Sequence, residues 1–192
     1  MNTYFEQTTF NQEQFLNGDF KNPKEEIEFV ECIFSNIEFL ASDFKRMRFV
    51  DCFFRQCNFN NIPLHSIQFK KVSFIQSKLM GVDFSVMKSY GEFSFDDCLL
   101  DFTFFTDMNL KESKFINSKI NEASFERANL KGANFSHSEL RGTNFNRANL
   151  ESCDFRGATS YSIDIYNSAL EKAKFSSPEV LNLLAPLGIE IE

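Results

Sequence analysis

A period of five residues runs through this chain and excludes most folds at once. From Phe95 onward, large apolar residues fall on every fifth position: Phe95, Leu100, Phe105, Leu110, Phe115, Ile120, Phe125, Leu130, Phe135, Leu140, Phe145, Leu150 and Phe155. An earlier block keeps the spacing one residue out of phase, from Phe29 through Phe34, Phe39, Phe44, Phe49, Phe54, Phe59, Leu64, Phe69, Phe74 and Leu79 to Phe84, after a lead-in of Phe5, Phe10, Phe15 and Phe20. A helix repeats every 3.6 residues and a strand every 2, so neither carries a period of five over such a length. A solenoid does. The position two residues before each large one is also restricted, holding Ala123, Ala128, Ala133, Ser138, Thr143, Ala148 and Cys153 in the regular half. If the chain turns a corner every five residues, these two positions point inward and the other three outward. Four sides then close a square coil of about twenty residues, and coils stack at the ~4.8 Å spacing of paired strands.

Lines such as Ala128-Asn129-Leu130-Lys131-Gly132 and Ala148-Asn149-Leu150-Glu151-Ser152 resemble the A(D/N)LXX consensus of pentapeptide-repeat proteins. The resemblance runs over roughly residues 5–175 and implies an all-β, right-handed quadrilateral β-helix.

The 192 residues fit one domain, with no linker where a second could begin. The expected division is a β-helix over 1–176, with register breaks near 21–28 and 85–94, and a C-terminal segment over 177–192. Of 26 Phe, all but Phe53, Phe93, Phe102 and Phe104 lie on the large register, which makes the aromatic excess core. Cys32, Cys52, Cys57, Cys98 and Cys153 all sit two residues before a large position and should point inward as small fillers. Their odd number argues against a disulfide framework, and their spacing suggests no zinc site. The N-terminus has no basic region followed by an apolar run, and no stretch approaches a membrane span. A cytoplasmic protein is the expectation.

Chemistry is sparse. His65 and His137 are the only histidines and occupy outward positions of different coils; no phosphate-binding loop or ligand cluster appears. No catalytic, metal or cofactor site is expected. Carboxylates gather at Asp96, Asp97, Asp101, Asp107 and Glu112, which would ring the rod on successive faces as a negative belt and make a partner-binding candidate. Outward charges at twenty-residue spacing bring both signs into one column, as in Asp107-Arg127-Arg147. Some outward positions are apolar: Ile33 above Phe53, Val30 above Val50, and Leu99, Phe102 and Phe104 beside the acidic belt.

Ser177-Pro178-Glu179 reads as a helix start and Gly188 as its stop. Val180, Leu181, Leu183, Leu184 and Leu187 between them would cover the open end of the coil or form a homodimer seam, with a short strand after them. The Qnr and MfpA type of quinolone-resistance protein resembles this chain in size, acidity and C-terminal segment. That resemblance implies a DNA-mimicking binder of DNA gyrase or topoisomerase IV. The overall negative charge and the lack of a basic groove argue against direct nucleic-acid binding, and no apolar span points to a membrane. The net charge of −7 has the right sign, although segment 31–91 carries eight basic and five acidic residues. The alternative is a scaffold or binding module with another protein partner. A continuous negative stripe would favour the first; scattered charges with an apolar patch would favour the second.

Overall fold

The computed structural model describes residues 7–17, 26–44, 46–87 and 92–189. Phe5, Phe20 and Gly91 lie outside them, as does all but Ile189 of the expected terminal strand. Ten short strands follow one another: β1 Thr9–Asn11, β2 Gln14–Leu16, β3 Glu28–Val30, β4 Ile33–Ser35, β5 Met47–Val50, β6 Phe53–Arg55, β7 Ile67–Lys70, β8 Val72–Ile75, β9 Phe93–Asp96 and β10 Lys114–Ile116. They pair only in parallel, as β1-β3-β5-β7 on one face and β2-β4-β6-β8-β9-β10 on the next. Isolated parallel bridges such as Asn58↔Lys78 and Phe104↔Ser124 continue the stacking on the other two faces. The result is a quadrilateral parallel β-solenoid. Counting round the coil, face one is centred on Phe29, Phe49 and Phe69, face two on Phe34, Phe54 and Phe74, face three on Phe39 and Phe59, and face four on Phe84 and Phe105.

The five-residue period becomes a square because most lines end in a turn with a left-handed residue. Two positions after the large residue, φ is positive in line after line, at Asn36, Asp51, Asn61, Asp97, Arg127, His137 and Gly157 among others. Many of these turns close with a hydrogen bond three residues on, as from Thr103 N–H to Leu100 O and from Ala133 N–H to Leu130 O. Positive φ at the third turn residue together with that bond is the signature of a type II turn. Gly142 meets this demand at no steric cost, but a Cβ there would lie 2.5 Å from the Glu122 carboxylate one coil away.

Inside, phenylalanines stack ring on ring. On face two, Phe15, Phe34, Phe54, Phe74, Phe95, Phe115, Phe135, Phe155 and Phe175 form an unbroken column. Its ring centroids are 5.2 Å apart at Phe95 and Phe115, and 4.9 Å apart at Phe115 and Phe135. The opposite wall meets this column edge-on, Phe115 against Phe125 at 86° and Phe135 against Phe145 at 88°. Such pairs are worth about 0.5–1.5 kcal/mol beyond the burial itself. The expected core residues from Phe95 to Phe155 are all buried.

The five cysteines are buried as expected and are more than filler. Each sulfhydryl points at a carbonyl of the preceding coil, Cys57 at Phe34 O (3.5 Å) and Cys153 at Leu130 O (3.0 Å). Ser138 Oγ donates in the same way to Phe115 O at 2.7 Å. Cysteine and serine at this position each present a donor in a small volume. Burial pushes the Cys57 thiol up to about 11 and those of Cys98 and Cys153 to about 12. Cys52 is held up by its hydrogen bond with the stacked Cys32 and then by burial.

Phe10 pairs with Phe29 and Phe15 with Phe34, so the first coil is one residue short of twenty. Phe74 pairs with Phe95, so the coil containing residues 85–94 is one residue longer than twenty. Phe93, off the large register, sits at a small inward position just after this break, where it is 2% exposed and stacks on Phe95. In the last coil Ser160 stands where a large residue belongs, is exposed and has positive φ; Tyr161 turns inward one residue late, against Phe155 and Phe175. The C-terminal helix is a 3₁₀ helix, Glu179–Leu187.

Candidate functional site

The acidic belt is largely engaged with its own neighbours. Asp96 accepts from Asn117 Nδ2 at 2.9 Å, Asp97 from Gln76 Nε2 at 3.1 Å and Asp101 from the Asn121 N–H at 2.8 Å. Asp107 is gripped by both arms of Arg127, Nε at 2.7 Å and Nη2 at 2.9 Å, and this guanidinium holds its carboxyl below the ordinary value. Glu112 is exposed at a corner with positive φ. As expected from the square coil, the five are spread over successive faces and do not converge. Among the described residues no group of three or more potential ligands could hold a metal ion, and no helix is long and apolar enough to cross a membrane.

The other charges form ladders along the rod. Glu26 pairs with Arg46 (2.8 Å), Glu28 with Arg48 (3.2 Å) and Glu151 with Lys131 (2.8 Å), each one coil apart. The column Asp101-Asn121-Arg141 is linked by side chain to backbone, with Arg141 N–H donating to Asn121 Oδ1 at 2.9 Å. Negative charge is therefore interrupted by positive charge along the coil axis. Exposed pairs of this kind are screened by solvent, so the ladders do little for stability.

What remains unexplained by folding is aromatic. Phe102 is 53% exposed and Phe104 47% exposed, two residues apart at the corner between faces three and four. Phe102 has φ +62°, in the column where Gly81 sits one coil before it, Glu122 one coil after and Gly142 two coils after. A bulky side chain in that conformation costs about 1–2 kcal/mol and here recovers little of it by burial. Leu99 on face three is half-buried and belongs to the same coil. On faces one and two, Val30 pairs with Val50 and Ile33 with the exposed Phe53, as the spacing placed them.

At the C-terminal end, Leu183 is buried and Val180 packs against the core cluster, while Leu184 is half-buried. Leu181, Leu187 and Ile189 are exposed. The five residues of the expected seam thus divide between the rod and the solvent. His65 and His137 are exposed, on different coils.

Residues 90–160 and 108–183 match the family model described as pentapeptide repeat region, and the coils before them have the same line length and in-register stacking. The chain is a pentapeptide-repeat protein. Among solved structures it is similar to a trypsin-treated QnrB1, a plasmid-mediated fluoroquinolone resistance protein, at 20% identity over 100% of this chain and 94% of the other, with a TM-score of 0.47. It is also similar to HetL, a pentapeptide repeat protein involved in heterocyst differentiation regulation in the cyanobacterium Nostoc sp. strain PCC 7120, at 15% identity over 86% and 84%, with a TM-score of 0.51. No curated protein matches its sequence.

Proposed function

We propose that this protein is a non-catalytic protein-binding rod whose contact surface is centred on Phe102 and Phe104. The supporting observation is Phe102 itself, a large apolar side chain exposed in a backbone conformation that favours glycine. A partner that buries it supplies the apolar contact that the fold does not. The pairing of Asp101 and Asp107 within the rod favours this apolar surface over an anionic stripe as the main recognition element. Type II topoisomerase, the partner brought by the family resemblance, is tested directly by titrating the protein into a gyrase supercoiling and cleavage assay with and without a fluoroquinolone.

The general reading is tested by a photo-crosslinking residue placed at position 104 in cells of the source organism, with position 131 as control. A discrete adduct from 104 alone, lost on Phe102→Gly, supports a defined contact surface. Equal labelling from both positions, or none, removes it.

A second reading concerns self-association. Leu181, Leu187 and Ile189 leave an apolar edge on the C-terminal segment, which suits a seam between two copies.

A further inference from the structure

The stacking ladder opens at one place near the C-terminal end, and the opening is a groove. One coil earlier on face four, Glu122, Phe125 and Arg127 donate their N–H groups to Arg141, Asn144 and Asn146 carbonyls at 2.8, 2.8 and 2.9 Å, and Ala123 O accepts from Asn144 N–H at 2.9 Å. The equivalent groups of the next coil, the N–H groups of Gly142, Phe145 and Arg147 and the carbonyl of Thr143, have no protein partner among the described residues. The segment that should receive them is folded onto itself instead. Asp164 accepts from the N–H of Tyr166 (2.9 Å) and from the N–H (3.3 Å) and Nδ2 (2.6 Å) of Asn167, and its carbonyl takes the Ser168 N–H. A local turn of this type competes with a ladder for the same backbone. Pairing resumes at Ala169, whose carbonyl accepts from Leu150 N–H at 2.8 Å.

We infer that this opening is a docking slot for an extended peptide segment of a partner protein, held by main-chain pairing to Thr143–Arg147 and carrying a carboxylate toward Arg147. The groove has a volume of about 650 Å³, with Asn144, Asn146, Ser162 and Asp164 among its polar lining and Phe145 and Ile163 buried beneath. Tyr166, which also lines it, is 71% exposed and offers an aromatic face. The edge presents N–H, C=O and N–H groups with donors two residues apart, which is the complement of an extended chain's alternate peptide groups.

Charge selects the peptide. Arg127 is paired with Asp107, whereas the exposed Arg147, one coil along the same column, has no carboxylate partner among the described residues. Asp164 is kept ionised by Asn167 and the turn N–H groups, which pull its carboxyl below the ordinary range, so an acidic residue is directed away from it and toward Arg147. No bridge forms at Pro63 on the same face either, but proline has no N–H to offer a strand.

The inference rests on the protein-binding reading only for the origin of the peptide. The test uses the full chain and a fluorescent acetylated probe, Thr-Val-Thr-Val-Asp-Thr amide, followed by anisotropy and by amide exchange in nuclear magnetic resonance. In the free protein the Phe145 and Arg147 amides should exchange about a hundredfold faster than those of Phe125 and Arg127. The probe should protect them. N-methylation of alternate probe residues should weaken binding by at least about tenfold, and so should Arg147→Ala combined with the Asp probe but not with an Asn probe. Protected Phe145 and Arg147 amides in the free protein would show the ladder closed and overturn the inference. So would an unchanged affinity for the N-methylated probe, or no response of these amides to the probe. A slot that takes the probe in a protein whose Phe102 surface crosslinks nothing would separate this inference from the reading above.

Discussion

The most informative residues are those whose conformation and surroundings disagree with their type. Phe102 is the clearest, a large apolar side chain exposed at a positive-φ position that Gly81 fills in the coil before and Glu122 in the coil after. Phe102→Gly should stabilise the protein by about 1 kcal/mol, the strain removed less the unfolded-state entropy added. Thermal denaturation checks the sign, and a lower melting temperature would mean that the aromatic ring is supported within the fold. Asp43 disagrees in another way. It is buried in the short 3₁₀ helix Ala41–Asp43, where its carboxylate accepts the Leu40 N–H at 2.7 Å and burial raises its pKa above the ordinary value. A raised folded-state value means that its contribution is fully present below the unfolded pKa of about 4 and is lost as the pH rises through the folded value. Asp43→Asn keeps an acceptor for Leu40 and removes the charge. It should raise the melting temperature at pH 7 and lose that advantage near pH 3. Asp107, Glu151, Asp154 and Asp164, lowered by their partners, act in the opposite sense, and their contribution fades as the pH falls.

At the scale of elements, the face-two column is the main structural spine. Phe115 stacks on Phe95 and Phe135 and meets Phe105 and Phe125 edge-on, so Phe115→Ala should cost about 3–5 kcal/mol by the cavity it leaves. Chemical denaturation would measure it, and a loss below that range would mean that adjacent coils collapse onto the site. The C-terminal 3₁₀ helix shows what a short apolar segment does at the end of a solenoid: it turns Leu183 and Val180 onto the last coil and leaves Leu181 and Leu187 outside. The groove near Asp164 is an element-scale feature too. It follows from two local choices, the late inward turn of Tyr161 and the side-chain turn at Asp164, each of which draws the chain off the ladder.

At the scale of the molecule, nearest-neighbour coils carry the stability, so the ends matter most. If the exposed leucines form a seam between two copies, Leu181→Glu with Leu187→Glu should convert a dimer to a monomer by light scattering at unchanged fold. A monomeric parent, or a dimer that survives both changes, would remove the seam. Much of this protein was legible from its spacing alone. The inward register, the inward cysteines, the short first coil, the long coil at 85–94 and the columns Asp107-Arg127 and Lys131-Glu151 all follow from counting in fives and twenties, because in-register parallel stacking maps sequence separation directly onto distance. The fate of the acidic belt was not legible, since whether a carboxylate faces a partner outside or is taken up by Asn117, Gln76 or Arg127 depends on side-chain reach across coils. Nor was the burial of Phe93, whose off-register position is inward only because the coil before it carries an extra residue. The five-residue period by itself determined the solenoid, its core and its stacking columns, because no other backbone buries every fifth side chain. The tertiary structure alone decided which charges are neutralised, which aromatics stay exposed and where the ladder opens, because these depend on side-chain and turn contacts between coils that the period leaves free.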